Sequence, residues 1–87
     1  MEEEFIKISN EILNTDIHID DTDKLILYGY FKQTTLGNCT EKLPPMFDLK
    51  AKAKYNAWKE NNGMDKNIAM QRYIRKAKIL LGTCVKK

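Results

Sequence analysis

Residues 21–38, which read DTDKLILYGYFKQTTLGN, contain both the beginning and the end of a helix. Asp20 or Asp21 can cap its first turn, because a short carboxylate accepts the free backbone N–H groups found there. The Gly-Asn pair after Leu36 can end it, because both residue types tolerate the left-handed backbone of a C-terminal cap. We therefore predict a helix that runs from about Asp21 to about Leu36.

Three further segments of the chain carry helical signals. In the first, Phe5, Ile8 and Ile12 recur at the spacing of one helix face, after an acidic start that suits a helix N-terminus. In each of the other two, an aspartate precedes the helix as a candidate cap, and asparagine or glycine follows it. We predict these helices over about Glu3–Asn14, Asp48–Asn61 and Asp65–Leu81, the last of them ended by Gly82.

No strand pattern competes with these helices. The alternation Lys-Ala-Lys-Ala-Lys over residues 50–54 has the period of a strand, but alanine and lysine favour helices. Pro44 and Pro45 keep the loop 38–47 out of any helix. With 87 residues, the chain is long enough for one small domain. We predict an all-α fold, a four-helix bundle formed by a single domain over residues 1–87.

Charge is distributed unevenly along the chain. Residues 1–23 carry a net charge of −7, whereas residues 24–87 carry a net charge of +10. This asymmetry indicates an anionic partner for the second part of the chain. The simpler interpretation, solvated lysines on helix surfaces, suits most of the bases in that part.

The residues that catalysis or metal binding would need are scarce. The one serine, Ser9, lies within the first helix and the one histidine, His18, in a connector, so we expect no nucleophile with an oriented base. One histidine and two distant cysteines, Cys39 and Cys84, do not make a zinc site. We predict no enzyme activity, no metal and no cofactor. The separated cysteines and the acidic start, which is unlike a signal peptide, fit a cytoplasmic protein.

Aromatic residues and lysines are interleaved on the second and third helices. Tyr28 and Lys32 are four residues apart and share a face, with Phe31 beside them. Lys50 and Lys54 share a face in the same way. Because exposed rings and buried lysines are both unfavourable without a partner, the two sets suit a nucleotide, whose base stacks and whose phosphates pair with ammonium groups. The alternative is partly buried rings fringed by lysines that extend to solvent.

Other side chains on the third helix have different expected positions. Tyr55 and Trp58, three residues apart, form a second face that we predict to pack in the core. Lys52 points away from the face that carries Lys50 and Lys54, as the helical period requires. Lys52 is therefore a natural control for either of its neighbours.

Taken together, these residues resemble the acyl-CoA-binding protein family. The family pattern combines a tyrosine, an aromatic residue three positions later followed by Lys-Gln, a loop with proline and aspartate, and a lysine-rich helix that ends in Ala-Trp. The resemblance spans essentially the whole chain. It rests on YGYFKQTTLGN at 28–38, on Pro44, Met46 and Asp48, on KAKAKYNAW at 50–58, and on Phe5, Leu25 and residues 69–74.

The resemblance implies a bundle of four helices that binds long-chain acyl-CoA reversibly and catalyses nothing. By that resemblance, Lys32 and Lys54 would pair with the 3′-phosphate of the adenosine, with the hydroxyl of Tyr28 as a further donor. The ring of Phe31 would lie against the adenine. Lys50 would lie near the phosphates.

The resemblance also implies a groove for the acyl chain. Leu25 would line this groove, and Tyr73 is a further implied ligand contact. The sequence departs from the family pattern at Leu13, where a basic residue is usual, at Phe31, where tyrosine is usual, and at Lys24, where an apolar residue is usual. We expect these departures to affect affinity and chain-length preference, and not the ligand class.

The predicted function is non-catalytic binding, buffering and transport of long-chain fatty acyl-CoA esters in fatty acid metabolism. The resemblance implies a monomer that makes transient contact with acyl-CoA-using enzymes or membranes and that binds no nucleic acid. One alternative is a basic helical module that binds nucleic acid, which would need a continuous basic face. Several lysines instead point to different sides, and only two arginines, Arg72 and Arg75, are present. The other alternative is an enzyme that acts on acyl-CoA.

Overall fold

The computed structural model describes the backbone of residues 2–85 and the side chains of residues 2–82. It contains four helices and, within the described backbone, no strand. The all-α prediction is therefore confirmed. The helices are α1 (Glu2–Asn14), α2 (Asp21–Leu36), α3 (Leu49–Lys59) and α4 (Lys66–Val85).

Two helix ends differ from the sequence prediction. Helix α3 ends at Lys59 rather than at Asn61, because the N–H of Asn61 bonds to the carbonyl of Trp58 and the chain tightens into a turn. Helix α4 continues through Gly82 to Val85. Gly82 does not have the positive φ that a terminating glycine adopts, and nothing lies near enough to bend the chain there. The predicted apolar stripe of α4 included Cys84, whose side chain lies outside the described residues.

Two of the predicted N-terminal caps are confirmed. The carboxylate of Asp48 accepts a hydrogen bond from the N–H of Ala51 at 3.1 Å, and that of Asp65 accepts one from the N–H of Asn67 at 2.9 Å. The prediction for α2 was wrong. Asp20 occupies the cap position, but its side chain makes no capping bond, and its carboxylate lies 3.5 Å from the imidazole of His18.

Helices α2 and α4 form the centre of the bundle. Helix α2 packs against α3 and α4, and α1 packs against α4. Ala69 and Ala77 are fully buried, which lets neighbouring helices approach α4 closely. The main buried cluster takes side chains from three helices, namely Phe5, Ile8, Leu27, Met70, Tyr73, Ile74 and Ala77.

The junction of α2 and α3 is closed by a buried tryptophan, as the sequence predicted, whereas Tyr55, predicted to pack in the core with it, is only partly buried. Trp58 is buried, and its indole N–H donates to the carbonyl of Gly37 at 2.8 Å, so its polar atom is satisfied. Gly37 has a φ of 85°, which confirms it as the residue that ends α2. Gly29 lies where α2 meets α3: an added Cβ would lie 2.4 Å from the carbonyl oxygen of Ala57.

A gap separates α1 from α2. Within the described part of the chain, no close backbone packing joins α1 to α2 or to α3, whereas α4 packs against both α1 and α2. This gap becomes the main cavity of the molecule. None of the helices between residues 2 and 85 is long and apolar enough to cross a bilayer.

Candidate functional site

The gap between α1 and α2 forms a cavity of about 830 Å³. Helix α1 and the connector that follows it form one wall, and α2 forms the other. Lys54 from α3 and Tyr73 from α4 complete the lining. The volume lies within the range of small-molecule and cofactor sites.

Two lysines lie against one tyrosine ring in this cavity. The Nζ atom of Lys32 is 5.7 Å from the centroid of the Tyr28 ring, and the Nζ atom of Lys54 is 5.5 Å from the same centroid. Lys32 also lies 5.3 Å from the ring centroid of Trp58. These distances fall within the range of cation–π contacts. We call Tyr28, Lys32 and Lys54 the lysine–tyrosine cluster.

The ammonium groups of the cluster have no anionic partner among the described side chains. Among the side chains of residues 2–82, no carboxylate lies within 4.0 Å of Lys32 or Lys54. By contrast, Lys76 pairs with Asp23 at 3.0 Å and Lys78 pairs with Glu4. Two neighbouring cations without a counter-charge, one of them half-buried, form a site that suits an anion of more than one charge.

An aromatic surface adjoins the lysine–tyrosine cluster. The ring of Phe31 stacks on Phe5 with centroids 5.6 Å apart, and it lies 6.1 Å from the ring of Tyr73. Phe5 and Tyr73 are buried, but Phe31 is 37% exposed. Phe31 thus has a supported ring that is still partly open, which is the arrangement a planar base needs for stacking.

The rest of the cavity is mainly apolar. Leu25 and Leu27 line it from α2, and Ile12 lines it from α1. Ile17 and Ile19 line it from the connector between these helices. Leu25 precedes Tyr28 by about one helical turn, so the apolar part lies toward the N-terminal end of α2, where Lys24 also lines the cavity, and Lys32 lies toward the C-terminal end of α2. The cavity therefore has a charged end and an apolar end, as an amphipathic ligand requires.

The comparison with protein families agrees with this geometry. The family model described as "Acyl CoA binding protein" matches residues 2–77. The chain belongs to the acyl-CoA-binding protein family. This is the family that the sequence motifs resemble, and it is a family of non-catalytic binding proteins.

The chain is also similar to individual proteins and to a solved structure. The chain is similar to Diazepam-binding inhibitor-like 5 of Mus musculus, at 47% identity over 71% of this chain and 71% of that protein. It is also similar to Acyl-CoA-binding domain-containing protein 2 of Oryza sativa subsp. japonica, at 41% identity over 93% of this chain and 89% of the relative. The crystal structure of Oryza sativa Acyl-CoA-Binding Protein 2 matches with a TM-score of 0.90 at 40% identity and covers 95% of this chain and 92% of that one.

The structure brings together six of the seven residues that the family resemblance implied as ligand contacts. All six line the same cavity, namely Leu25, Tyr28, Phe31, Lys32, Lys54 and Tyr73. Lys50 does not line it and is exposed in the first turn of α3. Lys52 is outside the lining as well, which agrees with its predicted direction.

The connector between α1 and α2 is the part of the lining that the sequence interpretation missed. Thr15, Ile17, His18 and Ile19 all line the cavity, although the sequence suggested only a link between helices. The alternation of Ile17 and Ile19 with polar residues was the available signal, because it places both isoleucines on one side of an extended segment. Ile19 is buried, as this pattern would predict.

Ser9 and His18 line the cavity but do not form a catalytic pair. The Ser9 hydroxyl donates to the carbonyl of Ile6 at 2.9 Å, and His18 faces Asp20. Among the described side chains, no hydrogen bond joins the serine to the histidine. Within the same residues, no group of three or more potential ligands could hold a metal ion.

Burial raises the pKa of two tyrosine hydroxyls in the site. Desolvation raises the pKa of the Tyr73 hydroxyl, which comes from the buried face of α4. The pKa of Tyr28 is raised first by desolvation and then by the negative charge of Glu41. Both hydroxyls therefore stay protonated at neutral pH and can act as hydrogen-bond donors.

Proposed function

We propose that the protein binds long-chain fatty acyl-CoA without catalysis and that its residues act as one acyl-CoA-binding domain. The observation that carries the proposal is the lysine–tyrosine cluster, which has no carboxylate partner among the described side chains and lies at one end of a cavity whose other walls are mainly apolar. Acyl-CoA has a charged part and an apolar part as well, because it joins a phosphorylated nucleotide to a hydrocarbon chain. Membership of the acyl-CoA-binding protein family supports the same ligand.

The lysine–tyrosine cluster is the proposed site for the 3′-phosphate of the adenosine. Lys32 and Lys54 would share this group between them, and the protonated Tyr28 hydroxyl would add a donor. The open ring of Phe31 would lie against the adenine. Lys50, although outside the cavity lining, can extend a long side chain toward the other phosphates of the ligand.

The apolar end of the cavity is the proposed site for the acyl chain. Leu25 and the isoleucines of the connector would cover hydrocarbon that water otherwise expels. Tyr73 would contact the ligand between the two ends. Lys24 and Leu13 also line the cavity, so the two departures from the family pattern lie where they can influence chain-length preference.

This chemistry supports a role as a buffer and carrier in fatty acid metabolism. A long acyl-CoA is a detergent-like anion, and a carrier would keep it from dispersing into membranes before it reaches acyl-CoA-using enzymes. We place the carrier in the cytoplasm, as a monomer. The free thiol of the buried Cys39 fits a reducing compartment.

Native mass spectrometry of the protein mixed with palmitoyl-CoA tests the proposal. We expect one molecule of intact ester bound to one chain, and no release of free CoA over time. Released CoA would show an enzyme, and the absence of a complex would contradict the carrier. The same instrument with a short RNA or DNA duplex tests the nucleic-acid alternative, which predicts a stable complex that persists when palmitoyl-CoA is added.

A further inference from the structure

The loop between α2 and α3 ends in an apolar turn. The N–H of Asp48 donates to the carbonyl of Pro45 at 3.0 Å, which closes a four-residue turn. Met46 and Phe47 occupy its two corner positions and are 79% and 88% exposed. Corner positions usually carry polar residues or glycine, so two large apolar side chains there are unusual. Leu43 and Leu49, which are also exposed, flank the turn.

The protein holds this turn away from its core. At the start of the loop, the carbonyl of Gly37 accepts from Trp58 and the N–H of Cys39 donates to Asn62 at 2.8 Å. At its end, Asp48 caps α3. Pro44 and Pro45 restrict the backbone between these anchors. The loop is therefore anchored at both ends, and Met46 and Phe47 are exposed between the two anchors.

The surroundings of the turn are basic. Lys42 and Lys50 flank it, and neither has a carboxylate within 4.0 Å among the described side chains. The charge of Asp48 is directed at the N-terminus of α3. Residues 32–59 contain six lysines and two acids, a net charge of +4, whereas residues 1–23 carry −7. This polarity would orient the turn toward a negative surface.

We propose that this turn docks on the interface of an anionic lipid membrane. Met46 and Phe47 enter the boundary between headgroups and acyl chains, and the flanking lysines contact headgroup phosphates. Apolar insertion combined with basic residues is how peripheral proteins bind anionic bilayers reversibly. A protein partner would also cover apolar side chains, but the free lysines beside the turn favour a surface of many phosphates.

Docking in this position would bring the cavity close to the membrane. Helix α3 begins at Leu49, directly after the turn, and its second turn carries Lys54, which lies at the charged end of the cavity. A docked turn therefore places the charged end of the cavity near the lipid surface. This link between docking and exchange of cargo rests on the proposed function, whereas docking itself does not.

Vesicle co-sedimentation tests the docking. Vesicles of phosphatidylcholine alone should bind the protein weakly, and vesicles with about one third phosphatidylglycerol should bind it more strongly, with a loss in high salt. The double variant M46S/F47S should bind anionic vesicles at least about tenfold more weakly, because two apolar side chains no longer enter the interface. The control Ile6→Ser removes another exposed apolar side chain, which lies on α1, and should bind as the natural protein does.

A fluorescence measurement shows which side chain enters the lipid. The variant Phe47→Trp should gain a blue-shifted emission component on anionic vesicles, and brominated lipids should quench that component. The matched variant Ile6→Trp should show neither change. Equal vesicle binding by M46S/F47S and the natural protein, or no blue shift for Phe47→Trp, would overturn the proposal.

Docking and ligand binding can fail independently. M46S/F47S changes no residue of the cavity lining, so it should bind palmitoyl-CoA in solution as tightly as the natural protein. If no form binds palmitoyl-CoA while vesicle binding still depends on the turn, the proposed ligand is wrong and the docking surface stands. If palmitoyl-CoA binds and vesicles do not, the docking proposal is wrong.

Discussion

The two lysines of the cluster differ from their neighbour Lys52 in position and not in charge. We predict that Lys54→Ala weakens palmitoyl-CoA binding by about 1.5–3 kcal/mol, the range for a hydrogen bond to a charged group. This corresponds to roughly ten- to a hundredfold in dissociation constant, which titration calorimetry measures directly. Lys52→Ala removes the same charge from the same helix and should change affinity little.

The ligand supplies a second control for this prediction. With an acyl-dephospho-CoA, which lacks the 3′-phosphate, Lys54→Ala should have little effect. Equal losses for Lys52→Ala and Lys54→Ala, or equal binding of the two ligands by the natural protein, would show that the phosphate does not lie at the cluster. Lys54 is the better test residue, because Lys32 also packs over Trp58 and its removal would cost about 0.5–1 kcal/mol of stability as well.

Phe31 packs against Phe5 and is also the proposed contact of the adenine, so its substitution should affect two measurements. Phe31→Ala should weaken acyl-CoA binding by about 1–3 kcal/mol if the ring stacks on adenine. It should also lower the free energy of unfolding, because the ring stacks on Phe5 and lies beside Tyr73. Phe31→Tyr keeps the ring and should change both quantities modestly. If Phe31→Ala binds normally while losing stability, as urea unfolding would show, the ring is only a core contact.

The raised pKa of Tyr73 makes stability depend on pH in the alkaline range. Because burial favours the neutral phenol, the pKa of Tyr73 in the folded protein lies above its value near 10 in the unfolded chain. Its contribution to stability is fully present below about pH 10 and is lost as pH rises through the folded-state pKa.

Substitution of this tyrosine should therefore flatten the alkaline loss. We predict that Tyr73→Phe loses less stability than the natural protein between pH 9 and pH 11, as measured by urea unfolding at each pH. Tyr28 is retained in both proteins, so the difference reports on Tyr73 alone. Parallel losses in the two proteins would mean that the Tyr73 phenol is not desolvated as the structure indicates.

At the scale of the helices, the closest approach lies between α2 and α3. Gly29→Ala should destabilise the fold by about 1–3 kcal/mol, because its Cβ would meet the backbone of Ala57, which cannot yield as a flexible side chain could. Gly82→Ala is the matched control within α4, where nothing lies within 4 Å. It should stabilise the fold by up to about 1 kcal/mol through helix propensity. Thermal unfolding of both variants checks the prediction, and a stabilised Gly29→Ala would contradict the packing.

Helix ends show which local signals sequence interpretation can use. The cap at Asp48 was predictable because its side chain bonds within its own first turn. Asp20 is the same residue type in the same position, but His18 lies close to its carboxylate and the capping bond is not made. The prediction that Gly82 ends α4 was wrong, because glycine permits a positive φ without requiring it.

The candidate site, too, could be predicted from the sequence only in part. Tyr28, Lys32 and Lys54 were identifiable because the family motif places them at fixed spacing, and the structure gathers them in one cavity. The missing counter-charges could not be predicted, since they depend on which acids the fold places nearby. The alternation of Ile17 and Ile19 with polar residues predicts that both face one side of the connector, but their place in a cavity wall depends on how α1 packs against α4.

At the scale of the whole molecule, the gap between α1 and α2 unites the charged and apolar ends of the site. Helix α4 packs against both α1 and α2, and the stacked rings of Phe5 and Phe31 join α1 to α2 beside the cavity. A ligand that spans both ends would gain contacts with the cluster and with the connector at once. A molecule that matches only one end would gain part of these contacts and would meet the full cost of association by itself.

The most direct test of the central claim is therefore calorimetric titration with palmitoyl-CoA, palmitate and CoA under one set of conditions. We predict a single site per chain for palmitoyl-CoA and an affinity at least about a hundredfold higher than for either half, because linkage avoids a second association cost. Palmitate that binds as tightly as palmitoyl-CoA would contradict the account and would indicate a general lipid binder.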